Sequence, residues 1–300
     1  MQPIRLEAHD LTAEILPQAG GLVKSLAWRH AGRDHALLYP ADHAPRADST
    51  ADRHGLWPLV PFANRAFGAR LLHGGERLAL PVNDATDGST MHGFGWQAAW
   101  QVVEHGADHV LLRHAYDRAD PYAYVAEFDV TLLPGAARFS LAVSNLGQRA
   151  LPFGIGLHPW FPRSEHTRLA ATARGALRFG PRYRATGTGP VMPADDHAAG
   201  RLLPPETAVS YLDWDGVAVL SEIAPGLALT IRASATLRHP VLWTPAGAPF
   251  VCFEPQSHAI GAPSEPVVAA ATPLALLQPG ETLSGWMTLE PTATIENDRP

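Results

Sequence analysis

Between Tyr122 and Leu133 the side chains alternate without a break: Tyr124, Ala126, Phe128, Val130 and Leu132 share one face, and Glu127, Asp129 and Thr131 share the other. A period of two is the spacing of a strand that buries one side, and such a strand needs partners along both edges. The chain supplies them in the same form. Ile4–Leu16 alternates loosely and turns at Gly20-Gly21 into Leu22–Trp28, while Trp100–Val103 and Val110–His114 precede Tyr122–Leu133. Phe139–Ser144 and Leu151–Leu157 follow it, as three consecutive antiparallel strands in all. Val217–Leu220, Leu227–Arg232, Val241–Trp243, Phe250–Glu254 and Leu283–Leu289 complete the set, and Arg70–Leu80 reads as a hairpin turning at His73-Gly74-Gly75-Glu76. The 26 glycines and 28 prolines are scattered, which suits many short strands joined by many turns. The expectation is an all-β fold of mainly antiparallel strands forming a single domain over residues 1–300. Asp34–Asp52, Asn83–Ser89 and Arg163–Thr207 read as polar or turn-rich loops, the last long enough to be functional.

Charge narrows the partners. The net charge is −6, Lys24 is the single lysine and no Lys/Arg run occurs, so nucleic acid and anionic membranes are disfavoured. One cysteine, Cys252, excludes an internal disulfide framework and suits a reducing compartment. The start, MQPIRLEAHD, has no apolar core of a leader peptide, and no 18-residue apolar run follows. A cytoplasmic protein, monomeric or homodimeric, is expected.

Chemistry-bearing side chains gather at strand ends. In FGIGLHPWFP, His158 follows the alternating Leu151, Phe153, Ile155 and Leu157, and Pro159 is expected to stop the strand there, leaving the imidazole at its rim. Glu254 has the same placement: Phe250, Cys252 and Glu254 share a face, and Pro255 ends the strand. A carboxylate beside apolar residues has its charged form destabilised, or is held by hydrogen bonds, and either outcome suits a general base. Asn64-Arg65 closes the Pro-rich segment Leu56–Phe62, and Arg65 is either a solvated arginine or a fork of donors for ligand hydroxyls. His92, between Met91 and Gly93, is a second candidate rim histidine or a solvated loop residue. Trp160, Phe161 and Trp243 are packing residues or apolar platforms. Cys252 reads as a small buried residue. With fifteen histidines but neither an HExxH nor a His-x-His pair, a metal centre is not expected. A glycoside hydrolase needs two carboxylates across one bond, and only Glu254 is well placed.

Four short motifs, PFANR at Pro61–Arg65, MHGF at Met91–Phe94, GLHPWF at Gly156–Phe161 and FEPQSHA at Phe253–Ala259, occur in the order and rough spacing of the aldose 1-epimerase (galactose mutarotase-like) family, which the chain therefore resembles. The resemblance implies a β-supersandwich that binds a sugar in a cleft and interconverts its anomers without metal or organic cofactor. It implies Glu254 as general base and His158 as general acid, with His92 and Arg65 binding the ring oxygen and hydroxyls and Asn64 beside them. One departure stands out. The family's sugar-binding aspartate is expected near Ala208, and Asp213, just before the Trp214-Asp215-Gly216 turn, is the nearest substitute. Two related readings stay open: a hexose-6-phosphate 1-epimerase, for which Arg46, Arg53, Arg65 and Arg70 would supply a phosphate site, and a non-catalytic carbohydrate-binding protein.

Overall fold

In the computed structural model, which describes residues 3–41, 54–119 and 121–293, the Tyr122–Leu133 strand lies between His109–Ala119 and Ala136–Asn145, antiparallel to both. The face that the alternation marked is buried: Tyr124, Ala126, Phe128 and Val130 are fully covered. From there the pairing runs outward through Thr282–Ala293, Leu227–Ala233, Thr207–Ala224 and Arg168–Phe179. A second row starts at Ile4–Ala8 and passes through Leu11–Leu16, Leu22–His30, Leu56–Leu59, Gly156–Pro162, Phe250–Glu254 and Val241–Thr244. It ends on the first turns of Thr207–Ala224, an 18-residue strand that belongs to both rows. Leu6, Ile15, Val23 and Leu56 from the second row share one buried cluster with Phe128, Phe139, Leu229 and Ile231 from the first. Burying two apolar faces against each other is what lets strands with one polar side form two layers. The fold is therefore all-β and overwhelmingly antiparallel, as the alternation implied. The single α-helix among the described residues, Pro266–Ala271, is six residues long, and no helix is long and apolar enough to cross a membrane.

Local turn chemistry is as read: Arg70–His73 pairs with Glu76–Ala79, and Gly74 and Gly75 both take positive φ, as a two-residue hairpin turn requires. Three readings need correction. The strand holding His158 does not stop at Pro159 but runs on to Pro162. Leu157 N–H donates to the Pro255 carbonyl and Trp160 N–H to the Gly55 carbonyl, so the missing donor at Pro159 falls on one side only and costs the ladder one bond. The strand lies between two partners, Leu56–Leu59 on one edge and Phe250–Glu254 on the other, which hold it on both sides of that residue. Nor do three consecutive strands lead to His158: Ala136–Asn145 pairs instead with Thr282–Ala293, and Leu151–Phe153 pairs with Ala275–Leu277. Finally, 163–207 is not a loop. It holds the strands Arg168–Phe179, Ala185–Gly189 and His197–Leu202, whose alanine- and glycine-rich, half-exposed sequences carry little alternation. Of the expected Asp34–Asp52 loop, Arg33–Ala36 is a strand and Leu37 and Leu38 are buried, while 42–53 lies outside the described residues.

Candidate active site

Four strands set the floor of the site. Opposite one another across the ladder stand Ala208, Trp243, Cys252 and Trp160, each on a different strand, and directly paired residues project to the same face. His158 lies two residues before Trp160, and Glu254 two after Cys252, so both join that face. The cavity above it, about 280 Å³, is bounded by His158, Glu254, His92, Arg65 and Asn64 on its polar side and by Trp160, Met91, Val241, Trp243 and Ile260 on its apolar side.

The imidazole of His158 is held by ring stacking, with Trp57 at 4.5 Å and Trp160 at 5.5 Å, nearly parallel to both. Its Nε2 lies 3.5 Å from Glu254 Oε1. Glu254 Oε2 accepts a hydrogen bond from Gln256 Nε2 at 3.0 Å. Both members of the pair are buried, and burial acts on them in opposite senses: it raises the Glu254 carboxyl to about 8 and lowers His158 to about 3. The Gln256 hydrogen bond and the Arg65 charge pull Glu254 back down. A hydrogen bond to a charged group is worth only about 1.5–3 kcal/mol, against a burial cost of several kcal/mol per ion, so burial prevails. Burial thus favours the uncharged form of each group, carboxyl for Glu254 and imidazole for His158.

On the opposite wall, Asn64 and His92 lock each other. Asn64 N–H donates to His92 Nδ1 at 3.1 Å, and His92 N–H donates to the Asn64 carbonyl at 2.8 Å. Both take positive φ, as does Gly93, where a Cβ would sit 2.1 Å from the Val60 carbonyl oxygen. Because Nδ1 accepts, the ring proton resides on Nε2, and His92 stays neutral: burial, then the neighbouring His158 and Arg65 charges, lower it well below its ordinary value. Arg65 is anchored through Nε to Asp87 at 3.2 Å. His158 Nδ1 and Trp160 Nε1 are buried without hydrogen-bond partners. Each such group costs about 1–3 kcal/mol unless a ligand or water satisfies it.

The structure thus brings together Glu254, His158, His92, Arg65, Asn64 and Trp160. It does not bring Asp213 with them. Asp213 is exposed, with its N–H directed at His239 Nδ1, and it lies roughly 16 Å along the strand from Ala208 at about 3.3 Å per residue. Ala208 itself lines the cavity, so no carboxylate stands where the family pattern places one. Sequence reasoning also missed Trp57, Gln256 and His258. His258 accepts the Ala63 N–H at 3.1 Å and so ties the PFANR segment to the FEPQSHA segment. The signal was available in principle, because Gln256 and His258 sit two and four residues beyond Glu254 within one motif. The thiol of Cys252 lies behind the pair, and one ligand atom each from His158, Cys252 and Glu254 fall within 4.8 Å of one another. A metal held there would occupy both proton-transfer groups at once.

The sequence profile of the family described as aldose 1-epimerase matches residues 2–290. The chain belongs to the aldose 1-epimerase family. Within it, the chain is 30% identical over 279 residues to the uncharacterized protein YphB of Escherichia coli (strain K12), covering 90% of this chain and 92% of that protein. The crystal structure of a candidate aldose 1-epimerase from Escherichia coli K12 superposes with a TM-score of 0.86 at 28% identity, covering 97% of this chain and 99% of the other. A GalM/aldose epimerase homologue from C. elegans shares the fold, with a TM-score of 0.79 at 16% identity over 98% and 99% of the two chains. For an aldose 1-epimerase family member, the two-layered antiparallel architecture is the galactose mutarotase-like fold.

Proposed function

We propose that this aldose 1-epimerase family member is a mutarotase, interconverting the α and β anomers of a neutral sugar within a single domain. The observation that carries the reading is the buried Glu254–His158 pair, 3.5 Å apart, at the wall of a cavity lined by the polar groups of His92, Arg65 and Asn64. Ring opening takes a proton from the anomeric hydroxyl and gives one to the ring oxygen. Glu254 as base and His158 as acid perform both transfers without a covalent intermediate, and the pair ends with its proton moved from imidazole to carboxyl. Rotation about C1–C2 follows, and reclosure on either face moves the proton back. His92 Nε2–H and Arg65 bind oxygens that persist throughout, and the Trp160 ring forms part of the apolar wall. Of the arginines that the phosphate alternative invokes, Arg65 lines the cavity and Arg70 is exposed on a hairpin strand, while Arg46 and Arg53 fall outside the described residues.

Polarimetry on freshly dissolved α-glucose and α-galactose tests the activity directly, and exhaustive chelation should leave the rate unchanged. Loss of activity with EDTA, restored by one divalent ion, would mean that His158, Cys252 and Glu254 hold a metal instead of exchanging a proton.

The shared proton also fixes the pH dependence. The carboxylate–imidazolium and carboxyl–imidazole forms have the same proton count, so the active pair exists below the raised Glu254 pKa and above the lowered one of His158. We expect kcat/KM to be level between pH 5 and 7, by about the limits those shifts set, and to fall as pH rises through about 8. In Gln256→Leu, loss of the hydrogen bond that favours the carboxylate should move that alkaline limb upward. A rate that instead climbs through the same pH range would show that the carboxylate acts without the histidine proton.

A further inference from the structure

A group that proton exchange does not use lies beside the reacting pair. Cys252 is fully buried, and its sulfur, one nitrogen of His158 and one oxygen of Glu254 all fall within 4.8 Å of one another, the one such trio among the described residues. No spacing in the sequence announces it, because the sheet assembles it. Cys252 and Glu254 are two residues apart on one strand and share a face. On the neighbouring strand Trp160 stands opposite Cys252 and Gly156 opposite Gln256, which places His158 opposite Glu254.

Imidazole nitrogen, thiolate sulfur and carboxylate oxygen are a donor set for zinc, which holds them at about 2.0–2.3 Å in a tetrahedron and so about 3.3–3.6 Å from one another. His158 Nε2 and Glu254 Oε1 already stand 3.5 Å apart. The thiol has about an ångström to close, a movement asked of side-chain torsions and not of the backbone. Gln256 holds the other carboxylate oxygen at 3.0 Å, which orients Glu254 as an outer-shell hydrogen bond orients a metal ligand. Burial opposes a lone thiolate at Cys252 and a lone carboxylate at Glu254. Together, the two anions cancel the charge of one divalent ion, and that objection lapses. Calcium and magnesium, which want several oxygen ligands, find a single carboxylate here.

We propose that His158, Cys252 and Glu254 form an inhibitory zinc site, so that free zinc acts as a reversible brake on this protein. Binding releases the thiol and carboxyl protons to solvent, and the ion takes the lone pairs of the His158 nitrogen and the Glu254 oxygen. Neither group can then exchange a proton with a sugar. The fourth position of the tetrahedron faces the cavity that His158 and Glu254 line, where a water completes it. Metal binding stands on the trio alone, while its inhibitory sense rests on the mutarotase reading. The metal-free protein is the active form, and chelation costs it nothing.

The test titrates the chelator-treated, desalted protein with cobalt(II) as spectroscopic probe and zinc chloride as inhibitor. Cobalt should give the intense visible bands of a tetrahedral ion and a near-ultraviolet thiolate-to-metal band, and because Cys252 is the single cysteine of the chain that band identifies the site. Zinc should displace the cobalt. At about ten times an apparent Kd of ~1 μM, zinc should lower the mutarotation rate ~10-fold, and EDTA should restore it. Cys252→Ser should lose the near-ultraviolet band and be inhibited less than about twofold by the same zinc, each protein being referred to its own metal-free rate. Should that variant not fold, Glu254→Gln decides: it keeps the thiol and should bind cobalt at least ~10-fold more weakly. A parent without the thiolate band, equal inhibition in Cys252→Ser, unchanged cobalt affinity in Glu254→Gln or a rate that zinc raises would overturn the proposal. If the parent turns over no sugar at all, the mutarotase reading fails by itself, and the cobalt band still decides whether the metal site exists.

Discussion

Glu254→Gln and His158→Asn should each lower kcat by at least ~10², about 2.7 kcal/mol, with circular dichroism unchanged. Glu254→Gln is isosteric and keeps an oxygen that can accept from Gln256, whereas His158→Asn also gives up the ring that stacks on Trp57 and Trp160, which is why the fold is checked alongside the rate. If the pair passes one proton back and forth as proposed, a site lacking either member has already lost the concerted step. The double variant should therefore lose far less than the product of the two single losses. Glu254→Gln retaining near-full turnover on every sugar that the parent accepts would show that the carboxylate is structural. Binding without turnover in the parent would favour a carbohydrate-binding protein instead.

Gly93→Ala should lower the melting temperature by roughly 4–10 °C and weaken sugar binding along with it. At φ +63 a side chain costs about 1–2 kcal/mol, and here the new methyl would meet the Val60 carbonyl oxygen at 2.1 Å and the Pro61 ring at 2.5 Å. Neither neighbour is the flexible tip of a side chain. Overpacking adds about 1–3 kcal/mol, and each kcal/mol is worth about 2 °C in a chain of this size. The strain falls on the turn that carries His92 and on its two hydrogen bonds to Asn64, so stability and binding should fail together. A melting temperature within about 1 °C of the parent's would mean that the turn yields freely and that the His92–Asn64 lock is not needed to hold it.

The parts of this molecule that were readable in the sequence are those decided locally. Tyr122–Leu133 announces its buried face because large apolar and polar residues alternate strictly along it, and His73–Glu76 announces a hairpin because two adjacent glycines allow the two positive φ angles. Glu254 at a strand end followed by proline is likewise a local statement. What escaped depends on partners far away in the chain. Pro159 fails to end its strand because the strand is flanked on its two edges by Leu56–Leu59 and Phe250–Glu254, and nothing near residue 159 encodes those partners. Arg168–Phe179 is a strand by virtue of Thr207–Ala224 beside it, although its own alanines and Gly175 give no period. Asp213 was misplaced for a third reason. It was chosen for nearness to the Trp214-Asp215-Gly216 turn, and nearness in sequence does not say which way a side chain faces where the residue takes positive φ and the register slips close by.

The strand Gly156–Pro162 has a mechanical consequence. It carries His158 and is hydrogen-bonded directly to the strand that carries Glu254, so the distance between the two cannot change without pulling a sheet apart. They are the fixed jaws of a vice. On the proposed reading, whatever must swing during anomer exchange, above all the half-turn of the freed aldehyde, would happen in the sugar rather than in the protein backbone.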